Sequence, residues 1–435
     1  MMESESRTFS GWLTYFDHLH PKTIEMGLER VNRVRIKLGL TPSFPIIIVG
    51  GTNGKGSTCA MLEAILSCAG YRVGCYTSPH LLRYNERVRI NRREASDGEL
   101  CSAFDAVESA RISSGISLTY FEFGTLAAMQ LFSQAGVDAA ILEVGLGGRL
   151  DAVNIFDADC AVITSIDFDH MEYLGDTREK IGFEKAGILR SGQAAICSEE
   201  DIPASIRHHA NSIGANLMHI GEHFGYSTHT ADATLWSYWG PGGKRHSLPH
   251  PALRGAFQLR NASACVAALD ILRDRLPVTI SDVRQGLLDV TLPGRFQVLP
   301  GRPVTVFDVA HNPGAAYVLA LNLGSMGQYR KTYAVFAMLK DKDITGVARA
   351  LAAKVDVWLI AGIDAPRGAS ASEVRQAVEA AGADGAGETV LTFPDPATAY
   401  AYACKQASEN DRICVFGSFH TVAGALQYRN TVEHE

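Results

Sequence analysis

The sequence predicts an α/β protein built from two parallel-sheet domains, of which the second is the smaller. Apolar runs typical of buried strands alternate with helical stretches along most of the 435 residues, as expected for parallel sheets covered by helices. A chain of this length exceeds one ordinary hydrophobic core. Because a Pro- and Gly-rich stretch separates two such patterns, we expect an N-terminal domain over 1–292, a linker over 293–301 and a C-terminal domain over 302–435.

Composition narrows the class of protein. The formal net charge of −7 argues against a nucleic-acid-binding surface. Nine cysteines include no C-x-x-C pair and lie mostly within apolar runs, which is typical of reduced thiols in the cytoplasm. Residues 1–12 contain no apolar signal core, and no run approaches the roughly 18 apolar residues needed to span a bilayer. We therefore expect a cytoplasmic protein without a membrane or nucleic-acid partner.

The first predicted elements lead into a glycine-rich loop. Residues 9–40 are expected to be helical, with a polar break at 18–21. The β-branched run Ile46–Val49 predicts a strand that is buried on both faces. The spacing of apolar residues from Ser57 to Gly70 predicts a helix. A loop between such a strand and helix turns N–H groups toward a polyphosphate, and Lys55 can reach the phosphates. The match to the general phosphate-loop pattern is imperfect, so a plain glycine-rich turn is the alternative.

Three further strands are predicted to end in polar residues at one edge of the first sheet. Ser78 follows the strand 71–77, Glu143 lies near the end of the strand 138–144, and His170 follows the strand 160–167. Open α/β sheets bind ligands at this edge, and a carboxylate opposite a phosphate loop suits a magnesium–nucleotide site. The alternatives are a turn-forming serine, a capping acid and a structural histidine, since Mg²⁺ prefers oxygen ligands.

The remaining segments of this domain are assigned from composition and periodicity. The basic stretch 81–91 predicts a loop over the site, 95–111 predicts a helix, and 119–136 predicts a helix whose first aromatic residues belong by default to the core. Residues 201–250 predict a peripheral β insertion, and 261–272 an Ala-rich helix.

Lys185 lies in a charged stretch that gives no reason to single it out. Its neighbours Glu179, Lys180 and Glu184 are spaced as on the solvated, salt-bridged face of a helix. Spacing alone therefore predicts an exposed lysine.

The second domain shows five apolar runs separated by helical stretches, which predict a smaller parallel sheet. The first run ends in Asp308, followed by His311 and Asn312. Such a turn places hydrogen-bonding groups at a cleft, although Asn-Pro is also a good turn initiator.

Ten short motifs stand in order along the chain: GTNGKGS (51–57), TSPHL (77–81), YNERVRI (84–90), LTYFE (118–122), ILEVGLGGRLDA (141–152), SIDFDHMEYLG (165–175), EKAGI (184–188), LPGRFQ (292–297), DVAHNP (308–313) and GSFHTV (417–422). Together they resemble folylpolyglutamate synthase/dihydrofolate synthase, a family of the Mur ligase superfamily. The resemblance covers essentially the whole chain except 201–250. Where the family often has Ala before GTNGKG, this chain has Gly50, which should not alter phosphate contacts.

The resemblance implies an N-terminal P-loop-containing parallel-sheet ATPase domain and a smaller C-terminal Rossmann-like α/β domain. It implies catalytic roles for Lys55, Lys185 and His311, with Lys185 carried as a carbamate, and Mg²⁺ held by Ser78, Glu143 and His170. The implied ATP-binding residues are Thr52, Asn53, Gly54, Lys55, Gly56, Ser57, Asn261, Arg295 and Asp308. The implied substrate pocket comprises His18, Leu19, His20, Thr119, Tyr120, Phe121, Glu122, Leu150, Asp151 and Ala152.

The implied reaction is an ATP-dependent ligation by a monomer that acts on small molecules. A carboxylate is a poor electrophile, so ATP first phosphorylates it, with Lys55 and Mg²⁺ offsetting the negative charge. The amine of L-glutamate then attacks the acyl phosphate. The implied acceptors are dihydropteroate and reduced folates.

Three alternatives stay open on the sequence alone. The first is a folylpolyglutamate synthase without dihydrofolate synthase activity, and the second is a Mur-type amide ligase with another carboxylate substrate. The third, from a different class, is a P-loop ATPase that couples hydrolysis to a conformational change in a partner. Phosphate release that depends on dihydropteroate and glutamate distinguishes the ligase from this third alternative.

Overall fold

The computed structural model describes residues 7–22, 24–228, 234–382 and 389–433. Residues 1–6, part of the stretch considered above for a signal peptide, therefore lie outside the described residues, as do 229–233 of the predicted insertion. The chain forms two compact units, which we call unit 1 (Met1–Ala252 with Leu259–Val290) and unit 2 (Leu253–Gln258 with Thr291–Glu435). The predicted α/β fold class is confirmed, with a parallel sheet at the centre of each unit.

Fifteen helices are described, and several begin at side-chain caps. They are α1 Phe9–Leu19, α2 Glu29–Leu38, α3 Lys55–Cys68, α4 Asp97–Ser114, α5 Tyr120–Ala135, α6 Met171–Leu174, α7 Arg178–Ala186, α8 Ala204–Ile213, α9 Gln258–Ile271, α10 Ile280–Asp289, α11 Pro313–Ser325, α12 Ile344–Leu351, α13 Ala371–Ala380, α14 Pro396–Gln406 and α15 Phe419–Glu433. Short 3₁₀ turns include Tyr84–Arg87 and Ala152–Ile155. Ser96 with Glu99, and Thr119 with Glu122, form capping boxes that start α4 and α5.

The strands of unit 1 form an eight-stranded sheet and a separate three-stranded sheet. They are β1 Ile46–Gly50, β2 Val73–Tyr76, β3 Val88–Ile90, β4 Arg93–Glu94, β5 Ala139–Glu143, β6 Cys160–Ile163, β7 Ala194–Cys197, β8 Asn216–His219, β9 Gly225–Thr228, β10 Leu235–Gly240 and β11 Gly243–Pro249. The large sheet has the order β4-β3-β2-β5-β1-β6-β7-β8, and the small one β11-β10-β9.

The large sheet of unit 1 places the ends of its central strands side by side. Strands β2, β5, β1 and β6 run parallel, with Val49 opposite Glu143 and Gly50 opposite Ile163. Every residue of these four strands is buried, which explains their continuous apolar runs. The loops that follow these strands therefore meet at one edge of the sheet, where ligands bind in open α/β folds.

The segment 81–91 differs from the predicted loop. Its second half, β3, pairs antiparallel with β2 at the sheet edge and forms a hairpin with β4. The Arg89 guanidinium pairs with Glu63 on α3, with 2.8 Å between Nη2 and Oε2. The basic composition suggested a solvated loop, but tertiary ion pairing allows this arginine to lie within a strand next to the sheet edge.

The range 201–250 contains more than a β insertion. Helix α8 and strand β8 continue the large sheet, because β8 pairs parallel with β7. Only the antiparallel strands β9, β10 and β11 form a separate meander. The predicted β character therefore applies to the later part of this range.

Unit 2 has its own sheet and hydrophobic core. Its strands are β12 Gln297–Leu299, β13 Val304–Asp308, β14 Thr332–Phe336, β15 Val357–Ala361, β16 Thr389–Phe393 and β17 Arg412–Phe416, in the order β12-β13-β17-β14-β15-β16. All neighbours are parallel except β12, which pairs antiparallel with β13. The predicted linker 293–301 thus includes an edge strand of unit 2. In the described part of the chain, no helix has the length and apolarity needed to cross a membrane.

Candidate active site

The loop between β1 and α3 depends on two glycines. Gly51 has φ 142°, and a Cβ there would lie 1.9 Å from Thr164 Oγ1. Gly54 has φ 89°, and a Cβ would lie 2.9 Å from Asn261 Oδ1. Both positions combine a left-handed backbone with close neighbours, so side chains are excluded. Asn261, which the resemblance assigns to ATP, therefore lies directly against the phosphate loop.

The loop after β6 holds the phosphate loop in place. The Thr52 N–H donates to Ser165 O at 2.8 Å, and the Asn53 N–H donates to Ser165 Oγ at 2.9 Å. The Thr52 hydroxyl donates to Asp167 O at 3.0 Å. Helix α3 begins at Lys55, and the first-turn amides of a helix point outward with partial positive charge. The arrangement fits a polyphosphate.

The Lys55 side chain lies over this loop. Its Nζ donates to Gly51 O and Thr52 O, both at 3.1 Å. Electrostatic interactions also link Lys55 to Asp151 and Lys185. A cation at this position offsets the charge of a bound phosphate.

The structure brings Ser78 and Glu143 together. Glu143 is the last residue of β5, its carboxylate is buried, and its Oε2 accepts a 3.1 Å hydrogen bond from the Ser78 N–H. His170 is the N-cap residue directly before α6, with φ 51°, and its Nε2 lies 3.9 Å from Asp169 Oδ1. Within the described residues, no three His, Cys, Asp or Glu side chains form a metal cluster. A magnesium ion here would rely on the Glu143 carboxylate and hydroxyl oxygens, ligands that suit a hard cation.

Lys185 is buried, which corrects the solvated face that the charged sequence predicted. Only 4% of the residue is exposed. Burial, and secondarily the positive charge of Lys55, lower the pKa of Lys185 to about 7, while Asp169 and Asp151 act in the opposite direction. Lys185 follows the fully buried Ile181 by four residues, so both point to the same side of α7.

The other charged residues of α7 differ in exposure, because Glu179 and Lys180 are exposed whereas the Glu184 side chain is largely buried. Lys180 pairs with Asp176 at 2.9 Å and Glu184 pairs with Arg149 at 2.8 Å. The spacing of Lys185 from Ile181 was the signal in the sequence that could have identified its burial.

Asp151 is a second buried ionisable group near these lysines. Burial raises the pKa of its carboxyl to about 7, despite hydrogen bonds from backbone amides. Its oxygens accept from the Leu146 N–H at 2.8 Å and the Val153 N–H at 3.0 Å. The carboxyl thus fixes the turn that carries its neighbours Leu150 and Ala152.

Aromatic residues cluster around the start of α5. Tyr120 packs against Phe16 of α1 at a centroid distance of 5.7 Å and against Tyr84 at 5.8 Å. Phe121 packs against Tyr76 at 5.7 Å. The predicted substrate residues of α5 thus lie beside the N-terminal helix and the end of β2.

An ion-pair network connects the N-terminal segment to α5. Arg30 Nη2 lies 2.9 Å from Glu122 Oε1, and Arg30 Nη1 lies 3.0 Å from Glu25 Oε1. Glu25 also lies 3.3 Å from His20 Nε2. The other Glu122 oxygen accepts from the Thr119 N–H at 2.8 Å. Glu122 is buried and caps a helix, and we add Arg30 as a residue that sequence reasoning missed.

The predicted N-terminal pocket residues differ in exposure. His18 is exposed at the end of α1, whereas Leu19 and His20 are half-buried. The Gly27 N–H donates to Leu150 O at 3.3 Å, so this segment also contacts the turn that carries Asp151. The structure therefore brings the N-terminal segment, the α5 start and residues 150–152 together within unit 1.

Unit 2 collects its three predicted site residues near the end of β13. Asp308 Oδ2 accepts from the Phe296 N–H and Oδ1 from the Ala310 N–H, both at 2.8 Å. Burial raises the pKa of Asp308, and the Arg295 charge opposes this shift. The Arg295 guanidinium lies 4.9 Å from the Phe419 ring centroid, and the His311 ring lies 6.5 Å from the same ring.

Comparisons with known proteins agree with this arrangement. The chain matches the Mur ligase middle domain over residues 49–269 and the Mur ligase glutamate ligase domain over 294–419. It is 44% identical to a dihydrofolate synthase/folylpolyglutamate synthase of Escherichia coli over 419 residues, covering 96% of this chain and 94% of the relative.

Solved structures of the same group of proteins superpose on this chain over nearly its full length. E. coli FolC in complex with DHPP and ADP superposes with a TM-score of 0.91 at 42% identity, covering 98% of this chain and 99% of that one. A bifunctional folylpolyglutamate synthase/dihydrofolate synthase with Mn, AMPPNP and L-glutamate bound has a TM-score of 0.88 at 44% identity, covering 98% of both chains. The chain therefore belongs to the Mur ligase family and, within it, to the dihydrofolate synthase/folylpolyglutamate synthase group of ATP-dependent ligases.

Proposed function

We propose that this chain adds L-glutamate to dihydropteroate and to reduced folates, using ATP and an acyl-phosphate intermediate. The observation that carries the proposal is the phosphate loop with Lys55, adjoined by Asn261 and electrostatically coupled to the buried Lys185 and Asp151. Relatives that match nearly the full chain are named for both activities. The nucleotide, DHPP and glutamate in the solved relatives support the same substrate classes.

The first step transfers a phosphoryl group. An oxygen of the substrate carboxylate attacks the γ-phosphorus of ATP, the bond to the β,γ-bridging oxygen breaks, and ADP leaves. Lys55 offsets the negative charge that builds up around the transferred group. The product of this step is a mixed anhydride, whose carbonyl is far more electrophilic than a carboxylate.

The second step forms the amide. The amine of L-glutamate attacks the carbonyl carbon, the tetrahedral intermediate expels inorganic phosphate, and the ammonium proton is lost to a base or to water. The resemblance assigns a catalytic role to His311 of unit 2 and nucleotide binding to Arg295 and Asp308. These three assignments remain part of the proposal.

We propose that Ser78, Glu143 and His170 hold a divalent cation, for which the Glu143 carboxylate and the Ser78 hydroxyl would supply the oxygen ligands that a hard cation prefers. A bound Mg²⁺ would neutralise phosphate charge, and the Mn²⁺ in a solved relative supports a divalent ion in this family. In the protein itself, the backbone of Ser78 already orients the Glu143 carboxylate. We retain Mg²⁺ as the proposed ion.

Lys185 is proposed to carry a carbamate. A lysine amine must be neutral to attack CO₂, and burial lowers the pKa of Lys185 to about 7, so a large neutral fraction exists at physiological pH. Loss of a proton from the adduct leaves an anionic carboxylate-like group. Lys55, Asp169 and Asp151 are the ionisable groups that interact electrostatically with Lys185.

Product analysis tests the proposed function. Purified protein is incubated with ATP, Mg²⁺ and L-glutamate, together with either dihydropteroate or tetrahydrofolate, and the products are identified by mass spectrometry. We expect dihydrofolate from the first acceptor and tetrahydrofolate extended by one or more glutamates from the second. Extension of tetrahydrofolate alone would establish the polyglutamate-only alternative, and extension of neither acceptor would contradict the proposal. A monomeric state and a location in the cytoplasm remain predictions from the sequence.

A further inference from the structure

Arg87 lies beside the proposed substrate pocket without an assigned role. It ends the 3₁₀ turn Tyr84–Arg87, and its guanidinium lies 5.3 Å from the Tyr84 ring centroid and 5.1 Å from that of Tyr120. Its Nε donates to His80 Nδ1 at 2.8 Å. Contacts with two aromatic rings and one imidazole fix the orientation of the guanidinium.

The two terminal nitrogens of Arg87 differ from those of neighbouring arginines. Arg89 pairs with Glu63 at 2.8 Å, and Arg93 pairs with Glu99 at 2.7 Å. Among the residues that the structure describes, Nη1 and Nη2 of Arg87 have neither a carboxylate partner nor a hydrogen-bond acceptor. Arg87 is only half-buried, so these nitrogens can reach a bound molecule.

An oriented guanidinium with its two terminal nitrogens available matches the geometry of a carboxylate. Parallel N–H···O bonds from one face of the fork bind both carboxylate oxygens, and charge makes these bonds stronger than neutral ones. Tyr120, on which the guanidinium lies, belongs to the predicted pocket for the pterin substrate. The Thr77 N–H donates to Arg87 O at 2.9 Å, so Arg87 also lies close to Ser78 of the proposed metal site. A substrate that extends from the pocket at Tyr120 toward Ser78 would therefore present its carboxylate to the Arg87 fork.

We propose that Arg87 binds the benzoate carboxylate of dihydropteroate and orients it for phosphorylation. This inference rests on the proposed function, because it takes dihydropteroate as the substrate. The alternative is that Arg87 only braces Tyr84 and Tyr120 through its contacts with their rings. The two roles differ in one respect, since only the first depends on the presence of a carboxylate on the ligand.

Equilibrium binding distinguishes these roles without requiring turnover. The Kd of dihydropteroate, and of an analogue with phenyl in place of the benzoate group, is measured by titration calorimetry with ADP and Mg²⁺ present. We expect Arg87→Gln to weaken dihydropteroate binding by about 10- to 100-fold, the range for a lost charge-assisted hydrogen bond. Binding of the analogue should change by less than about threefold.

Two further variants complete the test. Arg83→Gln is the matched control, because Arg83 lies in the same segment but is exposed and pairs with Glu94. The Arg83→Gln variant should bind both ligands with the same Kd as the wild type. Arg87→Lys keeps the charge but lacks the two-nitrogen fork, so it should recover part of the affinity for dihydropteroate that Arg87→Gln loses. If thermal melting shows that Arg87→Gln is unfolded, Arg87→Lys takes its place in the test.

Equal weakening of both ligands in the Arg87 variants would assign a bracing role and overturn the inference. Unchanged binding of dihydropteroate would overturn it as well. If the wild type binds dihydropteroate normally in either case, the proposed function stands. Failure of the wild type to bind dihydropteroate would contradict the proposed function and the inference together.

Discussion

Lys55 and Lys185 interact electrostatically, but Lys185 is buried, and burial lowers its pKa to about 7. A large fraction of this buried amine is therefore neutral near pH 7, which reduces the repulsion that two adjacent ammonium groups would create. Lys55 keeps hydrogen bonds to the phosphate loop and remains the cation available to phosphate. The environment of Lys55 therefore suits neutralisation of phosphate charge, and that of Lys185 suits an amine that is partly uncharged.

Stability should depend on pH through Lys185. Its folded pKa of about 7 lies below the ordinary value of 10.5, so between these values the unfolded chain binds a proton that the folded chain lacks. Stability therefore rises with pH across this window. In CO₂-free buffers, Lys185→Met should melt at a higher temperature than the wild type at pH 7.5, and the difference should shrink by about 5 °C or more by pH 10. A constant difference would contradict the burial of an amine at this position.

Lys55→Ala should reduce turnover by orders of magnitude and leave the melting temperature within about 2 °C of the wild type. The reason is that Lys55 offsets charge at the transferred phosphoryl group and supports the fold only through two loop carbonyls. Steady-state rates provide the measurement. Lys180→Ala is the control, because Lys180 is an exposed lysine paired with Asp176. Retention of more than about a tenth of the activity, a barrier change below roughly 1.4 kcal/mol, would refute this role.

At the residue scale, a residue type can be predicted from the sequence where backbone geometry dictates it. The glycines of the phosphate loop could be recognised because only glycine fits at Gly51 and Gly54. The charged neighbours of Lys185 indicated an exposed helix face, and only its spacing of four residues from Ile181 pointed to burial. Arg30 and Arg87 gave no signal, since their partners are distant in the sequence.

At the scale of elements, the ion pairs of Arg30 join the segment before α2 to the start of α5. Glu122 has 3% of its surface exposed, so an uncompensated charge there is costly. Arg30→Met should destabilise the protein by about 2 kcal/mol, which allows for the partial exposure of Arg30 and Glu25. Hydrogen exchange should increase in residues 20–28 and around Thr119.

The control for this prediction is Arg35→Met. Arg35 lies on the same helix, but its guanidinium contacts Asn32 Oδ1 at 2.8 Å and Leu40 O at 3.2 Å. The Arg35→Met variant should therefore leave hydrogen exchange in residues 20–28 unchanged. Equal hydrogen exchange of residues 20–28 in both variants would mean that the ion pairs of Arg30 do not stabilise this segment.

Elements could be predicted from the sequence where both faces of a strand are buried. The continuous apolar runs of β1, β5 and β6, and of the five parallel strands in unit 2, are confirmed as strands. Strands at or next to a sheet edge carry a weaker hydrophobic signal. The strand β3 contains Arg89 and β12 follows a Pro-Gly pair, so their pairing depends on neighbours that periodicity does not report.

At the scale of the whole molecule, each unit has a parallel sheet and a core of its own. The family matches cover both units separately, with the middle domain over 49–269 and the glutamate ligase domain over 294–419. The order of ten short motifs was sufficient to identify the family from the sequence, although the phosphate loop alone left a plain turn open. The family could therefore be identified from the combination of motifs across both units, rather than from the phosphate loop alone.

Phosphate release under defined mixtures of substrates tests the central claim most directly. With ATP and Mg²⁺, the protein is supplied with dihydropteroate, with L-glutamate, or with both, and inorganic phosphate and dihydrofolate are measured together. We expect sustained release only when both substrates are present, with one phosphate formed for each dihydrofolate. Equal release without dihydropteroate and glutamate, or release stimulated only by a macromolecule, would contradict the assignment of this chain as a glutamate ligase.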